Sequence, residues 1–137
     1  MNAKRADKKN YDWISLGGGA AGYYGALHFA QLCPLSHCMI IEASSKTLRK
    51  VKISGGGRCN LTHSCFEPSK LSSFYPRGQK ELISLFHKHG PRETLQWFAQ
   101  RGVPTKTEED GRIFPISNKS QSVIDCLEKE RKKLQVS

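Results

Sequence analysis

The feature that most constrains the fold of this chain is a glycine-rich turn between two apolar segments. Residues 17–22 read Gly-Gly-Gly-Ala-Ala-Gly and follow the short apolar run 11–16, which predicts a β-strand. Residues 20–32 are rich in Ala and Leu and end just before Pro34, which predicts a helix. A second apolar run at 38–41 predicts another strand. The order strand, glycine turn, helix, strand is that of a βαβ unit, which takes about 30 residues.

Each glycine of the turn has a mechanical role in binding a dinucleotide. Gly17 permits the tight turn, Gly19 lets a pyrophosphate approach the backbone, and Gly22 lets helix and strand pack closely. Ala20 and Ala21 complete the turn at the start of the helix, where the backbone amides and the helix dipole attract phosphate. The alternative for this segment is a turn with a purely structural role.

Glu42 supplies the acidic residue that accompanies such a turn. It lies 20 residues after Gly22, at the end of the second predicted strand. A carboxylate there accepts hydrogen bonds from both hydroxyls of an adenosine ribose, and it repels a 2′-phosphate. The sequence therefore predicts a dinucleotide ligand. The motif alone leaves FAD and NAD open, and also S-adenosylmethionine, because methyltransferases use a similar glycine turn and ribose-binding acid.

A second glycine cluster, residues 55–57, follows the second predicted strand. Three consecutive glycines are costly to order, at about 0.5–1 kcal/mol each relative to alanine in regular structure. They are typical of backbone that passes close to a flat ligand, with its amides directed at the ligand's oxygens. The alternative is a flexible loop. Residues 44–66 are predicted to be loop-like, and they carry five cations and no acid: Lys46, Arg49, Lys50, Lys52 and Arg58.

Residues 53–62 read Ile-Ser-Gly-Gly-Gly-Arg-Cys-Asn-Leu-Thr. This decapeptide resembles the ISGGGRCNLT signature of the HI0933-like flavoproteins, the BaiN-type NAD(P)/FAD-dependent oxidoreductases. The resemblance runs from about residue 11 to residue 134, with the family's order and spacing kept. The other similar segments are residues 17–22 with Glu42, then 75–78, 102–104, 108–115 and 121–123.

The resemblance implies that the βαβ unit binds the ADP half of FAD and that the second glycine cluster lies along the pyrophosphate and flavin. It implies NAD(P)H as an electron donor in full-length members, and it assigns no catalytic acid or base within this chain. The positive charge of residues 44–66 then faces the FAD diphosphate. The further residues expected to contact the cofactor are Lys50, Ser54, Gly55, Gly56, Gly57, Arg58, Cys59 and Asn60, with the last four nearest the flavin.

Two residues depart from the family pattern. Leu48 stands where the family has a glycine before the Arg-Lys pair. If that glycine has a positive φ in relatives, leucine is expected to force a different turn. Ser15 replaces an aliphatic residue in the first strand, and we expect a modest loss of burial there.

The predicted fold class is α/β, a Rossmann-like FAD/NAD(P)-binding βαβ unit with following helices and a β-hairpin. The later predicted elements are two helices at 79–89 and 92–101, a hairpin at 103–116 that turns at 109–111, and a last helix at 119–134.

Residues 135–137 are expected to begin a third parallel strand. We interpret 11–137 as the N-terminal part of an FAD-binding domain. The rest of the third strand and the substrate domain of family members would be missing, so the domain is expected to be incomplete. A chain encoded downstream is the expected partner that completes the fold.

The composition indicates the cellular compartment of the protein and the kinds of ligand that it attracts. Lys and Arg total 22 against 12 acids, and the net charge of +10 predicts attraction to nucleic acid, anionic lipid or a phosphorylated ligand. The basic segment 1–10, predicted to be a flexible arm, is followed by no apolar stretch and is not a secretory signal. The apolar run 38–41 is too short to span a bilayer. Five cysteines without a CxxC pair are typical of free thiols, so we expect a cytoplasmic protein.

Other possible sites are weaker. Cys33 and Cys38 have the spacing of a redox disulfide, but they join the first helix to the second strand rather than following that strand. Cys59, His63 and Cys65 lack an evident fourth zinc ligand, so no metal site is predicted. Cys59 is either a thiol beside the flavin or a small residue packed under the loop. His87 and His89 are expected to be exposed, and Trp97 and Phe98 to lie in the core.

Three functional hypotheses remain. The leading one is the FAD-binding portion of a flavin-dependent oxidoreductase. The second is a non-catalytic product of a truncated or split gene that binds FAD weakly or only with a partner. The third is a basic module that binds RNA through its charge, which is less favoured because the sequence contains no RRM, KH, zinc-finger or helix-turn-helix pattern.

Overall fold

The computed structural model describes residues 10–137. The predicted basic arm therefore lies outside the described residues, apart from Asn10. The described residues form five strands and six helices: β1 (Trp13–Leu16), α1 (Ala20–Leu32), β2 (Cys38–Ile41), α2 (Arg49–Gly57), β3 (Thr62–His63), α3 (Pro68–Ser72), α4 (Gln79–Lys88), α5 (Pro91–Ala99), β4 (Thr105–Thr107), β5 (Arg112–Pro115) and α6 (Ser120–Lys133).

The chain divides into two compact units. The first comprises the described residues up to Leu48 together with Leu127–Ser137, and the second comprises Arg49–Cys126. The α/β fold class predicted from the sequence is confirmed.

The first unit contains the predicted βαβ unit. β1 and β2 are parallel, in a register that pairs Trp13 with Cys38 and Leu16 with Ile41. α1 has the predicted bounds, and its buried residues Tyr23, Ala26, Leu27 and Ala30 recur every three or four positions along one face. The helix ends at Leu32, one residue before Cys33 and two before Pro34. Local sequence signals therefore determine this unit almost residue by residue.

The last residues of the chain lie beside β2. The Ser137 amide donates to the carbonyl of Cys38 at 3.0 Å, and the Ile40 amide donates to the carbonyl of Ser137 at 2.8 Å. These two bonds flank a single residue, as in a parallel ladder. They use the edge of β2 away from β1, because the carbonyls of His37 and Ile41 accept on the β1 side. The continuation of a third strand stays a prediction.

The second unit contains a three-stranded antiparallel sheet in the order β3-β5-β4. β4 and β5 form the predicted hairpin, with Thr107 opposite Ile113. Gly111 has φ +82° in the turn, and Ile113 and Phe114 are 1% and 0% exposed. β5 is therefore the buried central strand of this unit.

The helices of the second unit match the prediction in part. α4 and α5 lie within one or two residues of their predicted bounds, and α5 begins at Pro91, where the Glu93 carboxylate accepts from the Gly90 amide at 2.7 Å. α3 was not predicted. The loop-like prediction for residues 44–66 is wrong in part, because α2 and β3 lie within this range. The sequence shows little helical periodicity here, because cations surround the two apolar residues Val51 and Ile53 and only Val51 is buried.

Candidate functional site

The first glycine turn has a backbone that requires glycine at two positions. Gly17 has φ +108°, and its amide donates to the carbonyl of Ile41 at 2.7 Å. A Cβ on Gly22 would lie 2.0 Å from the carbonyl oxygen of Gly17, a distance that no side chain tolerates. The turn and the close approach of α1 to β1 therefore depend on these two glycines.

The space in front of α1 is open. A Cβ added at Gly19 would meet no heavy atom within 4 Å, and Gly19 itself has an extended backbone with φ −87° and ψ −173°. α1 has no side-chain cap, and the Tyr23 amide makes the intrahelical bond to the Gly19 carbonyl at 3.0 Å. The amides of Ala20, Ala21 and Gly22 come before this first intrahelical hydrogen bond, so they have no acceptor within the helix. They lie at the positive end of the helix dipole. This end of the helix is open to an anionic ligand.

Glu42 lies at the turn, and its carboxylate already holds the turn. Its Oε2 accepts from the Gly18 amide at 2.7 Å and its Oε1 accepts from the Ser44 amide at 2.8 Å. The hydrogen bonds from the backbone of Ser44 and Gly18 hold the pKa of Glu42 below its usual range. Glu42 therefore stays ionised near neutral pH with both oxygens fixed in place.

Gly18 is a residue of the candidate site that the sequence pattern does not mark, since it occupies a variable position of the motif. A Cβ there would lie 2.6 Å from Cγ2 of Thr47 and 3.1 Å from Cβ of Glu42. The segment after β2 therefore packs directly on the turn. Only a contact between residues that are distant in sequence reveals this requirement for glycine.

Leu48 holds the other side of the Gly18 peptide. Its amide donates to the carbonyl of Gly18 at 2.7 Å. Leu48 itself has φ +55°, so the leucine at this position adopts a left-handed backbone. The side chain is only 2% exposed, and its burial offsets a left-handed backbone that costs roughly 1–2 kcal/mol.

Ser15 is buried at 8% exposure, and its hydroxyl both donates and accepts a hydrogen bond. Its hydroxyl donates to the carbonyl of Gly22 at 2.9 Å and accepts from the indole of Trp13 at 2.9 Å. The serine therefore stays buried, and its hydroxyl adds a hydrogen bond that joins α1 to β1.

The second glycine cluster lies in the second unit, where the backbone leaves the helical conformation. Ser54 has ψ 148°, and Gly55, Gly56 and Gly57 have φ values of +56°, +67° and +84°. A Cβ on Gly55 would lie 2.8 Å from both the Asn60 amide and the Phe114 ring, whereas one on Gly56 or Gly57 would meet nothing within 4 Å. Packing therefore requires glycine at residue 55, while residues 56 and 57 expose open backbone.

The side chains after this cluster hold the loop in shape. Arg58 pairs with Glu108 at 2.5 Å, and its guanidinium lies 4.0 Å from the centre of the Phe114 ring. Cys59 has φ +62° and is 6% exposed, and burial raises the pKa of its thiol. The Asn60 side-chain amide, with its nitrogen toward the carbonyls, donates to Ile113 and Thr62. The packing of Cys59 agrees with a small residue under the loop.

The other residues singled out in the sequence are dispersed. Lys50 is exposed on α2. Cys33, Cys38, Cys59 and Cys65 are free thiols, and Cys33 is exposed. Within residues 10–137, no group of three His, Cys, Asp or Glu side chains is arranged to hold a metal ion. The prediction that Trp97 and Phe98 lie in the core is confirmed by exposures of 7% and 4%, and His87 and His89 are exposed as predicted.

Among the helices of residues 10–137, none combines the length and the apolar character needed to cross a membrane.

Comparison with known proteins identifies the family. The sequence model described as HI0933-like protein Rossmann domain matches residues 11–137 of this chain. The chain belongs to the HI0933-like family. The family resemblance predicted from the ISGGGRCNLT segment is therefore confirmed, and the HI0933-like proteins are Rossmann-type flavin-dependent oxidoreductases.

Three relatives of known activity are similar to this HI0933-like chain. The 3-dehydro-bile acid delta(4,6)-reductase of Clostridium scindens is 32% identical over 121 residues, which cover 88% of this chain and 29% of that protein. The ribosomal RNA dihydrouridine synthase of Escherichia coli is 27% identical over 125 residues, covering 91% of this chain and 30% of that protein. The enzyme of the same name from Haemophilus influenzae is 27% identical over 118 residues, which cover 85% of this chain and 28% of that protein. The chain thus spans less than a third of the length of these relatives.

Proposed function

We propose that this chain binds FAD as the cofactor-binding portion of a flavin-dependent oxidoreductase. The observation that carries the proposal is the open space in front of Gly19. This space lies at the start of α1, where the first backbone amides have no acceptor within the helix and no side chain caps them. A pyrophosphate fits the chemistry of this place, because backbone amides at a helix N-terminus attract anions.

Glu42 is the proposed ribose ligand. Each oxygen of a carboxylate has two acceptor positions, and Gly18 and Ser44 occupy one position on each oxygen. The amides hold this carboxylate in place beside the turn, where the two ribose hydroxyls would donate to it. A carboxylate that stays ionised also repels a 2′-phosphate, which favours FAD over NADP.

In the second unit, we propose that the backbone of Gly56 and Gly57, with Lys50 nearby in sequence, contacts the flavin and pyrophosphate side of the cofactor. The positive φ values and the empty space at both glycines support this role. Arg58, Cys59 and Asn60 act by holding the loop, through Glu108, the buried thiol and the hairpin carbonyls. When bound, FAD supplies the redox chemistry, and the protein's part is to bind and orient it.

The phosphate turn is tested with Gly19→Val and Glu42→Ala. Gly19→Val should abolish FAD binding, because its side chain fills the open space, and should leave most of the fold intact. Glu42→Ala should weaken binding less, since losing charge-assisted hydrogen bonds costs about 1–3 kcal/mol. Isothermal titration with FAD, NADP and S-adenosylmethionine measures both effects. Binding of NADP or S-adenosylmethionine without FAD would refute the proposal, and a larger loss for Glu42→Ala would refute the ordering.

The substrate is a separate proposal. Two of the relatives are named ribosomal RNA dihydrouridine synthases, and this chain carries a net charge of +10. We propose RNA as a second candidate ligand, attracted through its phosphates by this positive charge. Retention of RNA should fall steeply with salt, because each phosphate contact releases counterions. RNA that is not retained even at low salt would leave a small-molecule substrate, such as the bile acid class that the reductase name indicates.

A further inference from the structure

A buried polar network in the first unit ends on the glycine turn. The Tyr23 side chain on α1 is 2% exposed, and its hydroxyl donates to the carboxylate of Glu128 on α6. The same hydroxyl lies 3.0 Å from Oγ1 of Thr47, and Thr47 Oγ1 lies 3.3 Å from Glu128 Oε1. Burial and the Glu128 carboxylate raise the pKa of Tyr23, so the hydroxyl remains a donor. Three elements distant in sequence therefore meet at one carboxylate oxygen.

The second oxygen of Glu128 is also held. Arg131, one turn further along α6, donates from Nε to Glu128 Oε2 at 3.0 Å. Its Nη1 donates to the carbonyl of Val136 at 2.9 Å, next to the residue that bonds to β2. The carboxylate of Glu128 is thus fixed between α1, α6 and the end of the chain.

Thr47 connects this network to the turn. Its methyl carbon lies 2.6 Å from the position that a Cβ on Gly18 would take, so the side chain packs against the Gly18 backbone. On either side of Thr47, the segment bonds both polar groups of Gly18: Glu42 accepts from the amide, and the Leu48 amide donates to the carbonyl. Residues 42–48 therefore form a clamp on Gly18.

We propose that Tyr23, Thr47 and Glu128 are positioning residues that keep residues 42–48 clamped on Gly18 and so preform the nucleotide site. The inference rests on the proposed function. Its physical basis is that part of the binding free energy is used to order any site that is not preformed. The apparent dissociation constant of the ligand equals the intrinsic one divided by the fraction of protein molecules already in the binding form. None of the three side chains needs to touch the nucleotide.

Thr47 provides a matched pair of variants, measured with ADP as the ligand. Thr47→Val keeps the methyl packing and removes the hydroxyl, whereas Thr47→Ser removes the methyl that packs on Gly18 and keeps the hydroxyl that bonds to Tyr23 and Glu128. We expect Thr47→Val and Tyr23→Phe to raise the dissociation constant for ADP about tenfold, as when the clamped fraction falls to about one tenth, and Thr47→Ser to change it less than about threefold. Asp125→Asn is the control, because Asp125 accepts from Gln121 on the exposed side of α6.

Titrations well below the melting temperature separate positioning from stability. A purely structural role would lower the melting temperature and leave both the ADP dissociation constant and the amide resonance of Gly18 unchanged, and that result would overturn the proposal. The expected result is that Thr47→Val shifts the Gly18 amide resonance and weakens binding together. If the unaltered chain binds neither ADP nor FAD, the proposed function fails, and the Gly18 resonance alone then decides whether the three side chains hold the clamp.

Discussion

Adding one methyl group at either of two glycines in the same turn should have opposite consequences. Gly19→Ala places the methyl in open space, whereas Gly22→Ala places it 2.0 Å from the carbonyl oxygen of Gly17. We expect the first variant to lose nucleotide binding with little loss of stability. We expect the second to lose stability first, because two backbone segments must move apart.

The sizes of the two effects follow from the local geometry. Gly19 has an extended backbone that alanine adopts without strain, so Gly19→Ala costs only the weaker N-cap preference, about 0.5–1 kcal/mol. At Gly22, alanine gains about 1 kcal/mol in helix propensity, but relieving the contact with a backbone atom costs more than the usual 1–3 kcal/mol of overpacking. The net loss expected for Gly22→Ala is roughly 2–4 kcal/mol.

These values convert into separable melting temperatures. With an unfolding entropy of about 2.1 cal/mol/K per residue, a chain of this length shifts by about 3–4 °C per kcal/mol. Gly22→Ala should therefore melt roughly 7–14 °C below the unaltered chain, and Gly19→Ala no more than about 4 °C below it. Differential scanning calorimetry measures the melting temperatures of both variants, and titration with FAD measures the loss of binding expected for Gly19→Ala. Gly22→Ala melting with the unaltered chain, or Gly19→Ala binding FAD normally, would refute the corresponding half of the reasoning.

Three further predictions address other parts of the molecule. Because amide hydrogen bonds lower the pKa of Glu42, the stability that they provide is present above the ordinary carboxyl pKa and is lost as the pH falls through the lower folded value; a carboxyl NMR titration should show this midpoint, and a midpoint at or above that of an unstructured glutamate would contradict it. Gly55→Ala should destabilise the second unit by about 2 kcal/mol or more, whereas Gly56→Ala should cost only the strain of a positive φ, about 1 kcal/mol; equal midpoints in urea would show that the contacts of Gly55 are unimportant. Leu48→Gly should relieve backbone strain and still lower the free energy of unfolding by roughly 1–3 kcal/mol, because the lost burial outweighs the strain; a stabilised variant would reverse that balance.

The sequence predicts the elements whose signals are local. α1 needs only an Ala- and Leu-rich run between a glycine turn and Pro34, and the hairpin needs only a polar turn ending in Gly111. α2 could not be predicted in the same way, because its cations conceal the one buried residue, Val51. The helix also depends on a long-range bond, since the Ser120 hydroxyl donates to the carbonyl of Lys52 at 2.7 Å.

The candidate site was predictable as a set of residue types but not as a set of contacts. The spacing of Gly17, Gly19, Gly22 and Glu42 indicates a ligand, and the structure brings these residues together at the start of α1. The hydrogen bond from the Gly18 amide to Glu42 has no signature in the sequence. An acidic residue at this position is expected as a ribose ligand, so nothing in the pattern indicates a second role for it. The left-handed backbone of Leu48 was likewise unpredictable. The family pattern shows that a glycine is replaced there, but it does not show which backbone conformation the leucine adopts.

The position of Glu42 suggests why one carboxylate can serve both the fold and the ligand. A neutral side chain at this place could accept from the Gly18 amide with only one atom, and it would turn a donor group toward Ser44 or the ligand. A carboxylate has acceptor positions on both oxygens and no donor, so it accepts from the Gly18 and Ser44 amides and presents only acceptors to a ligand. Under the proposed function, a nucleotide would bind to a turn that these hydrogen bonds have already shaped, without first breaking them.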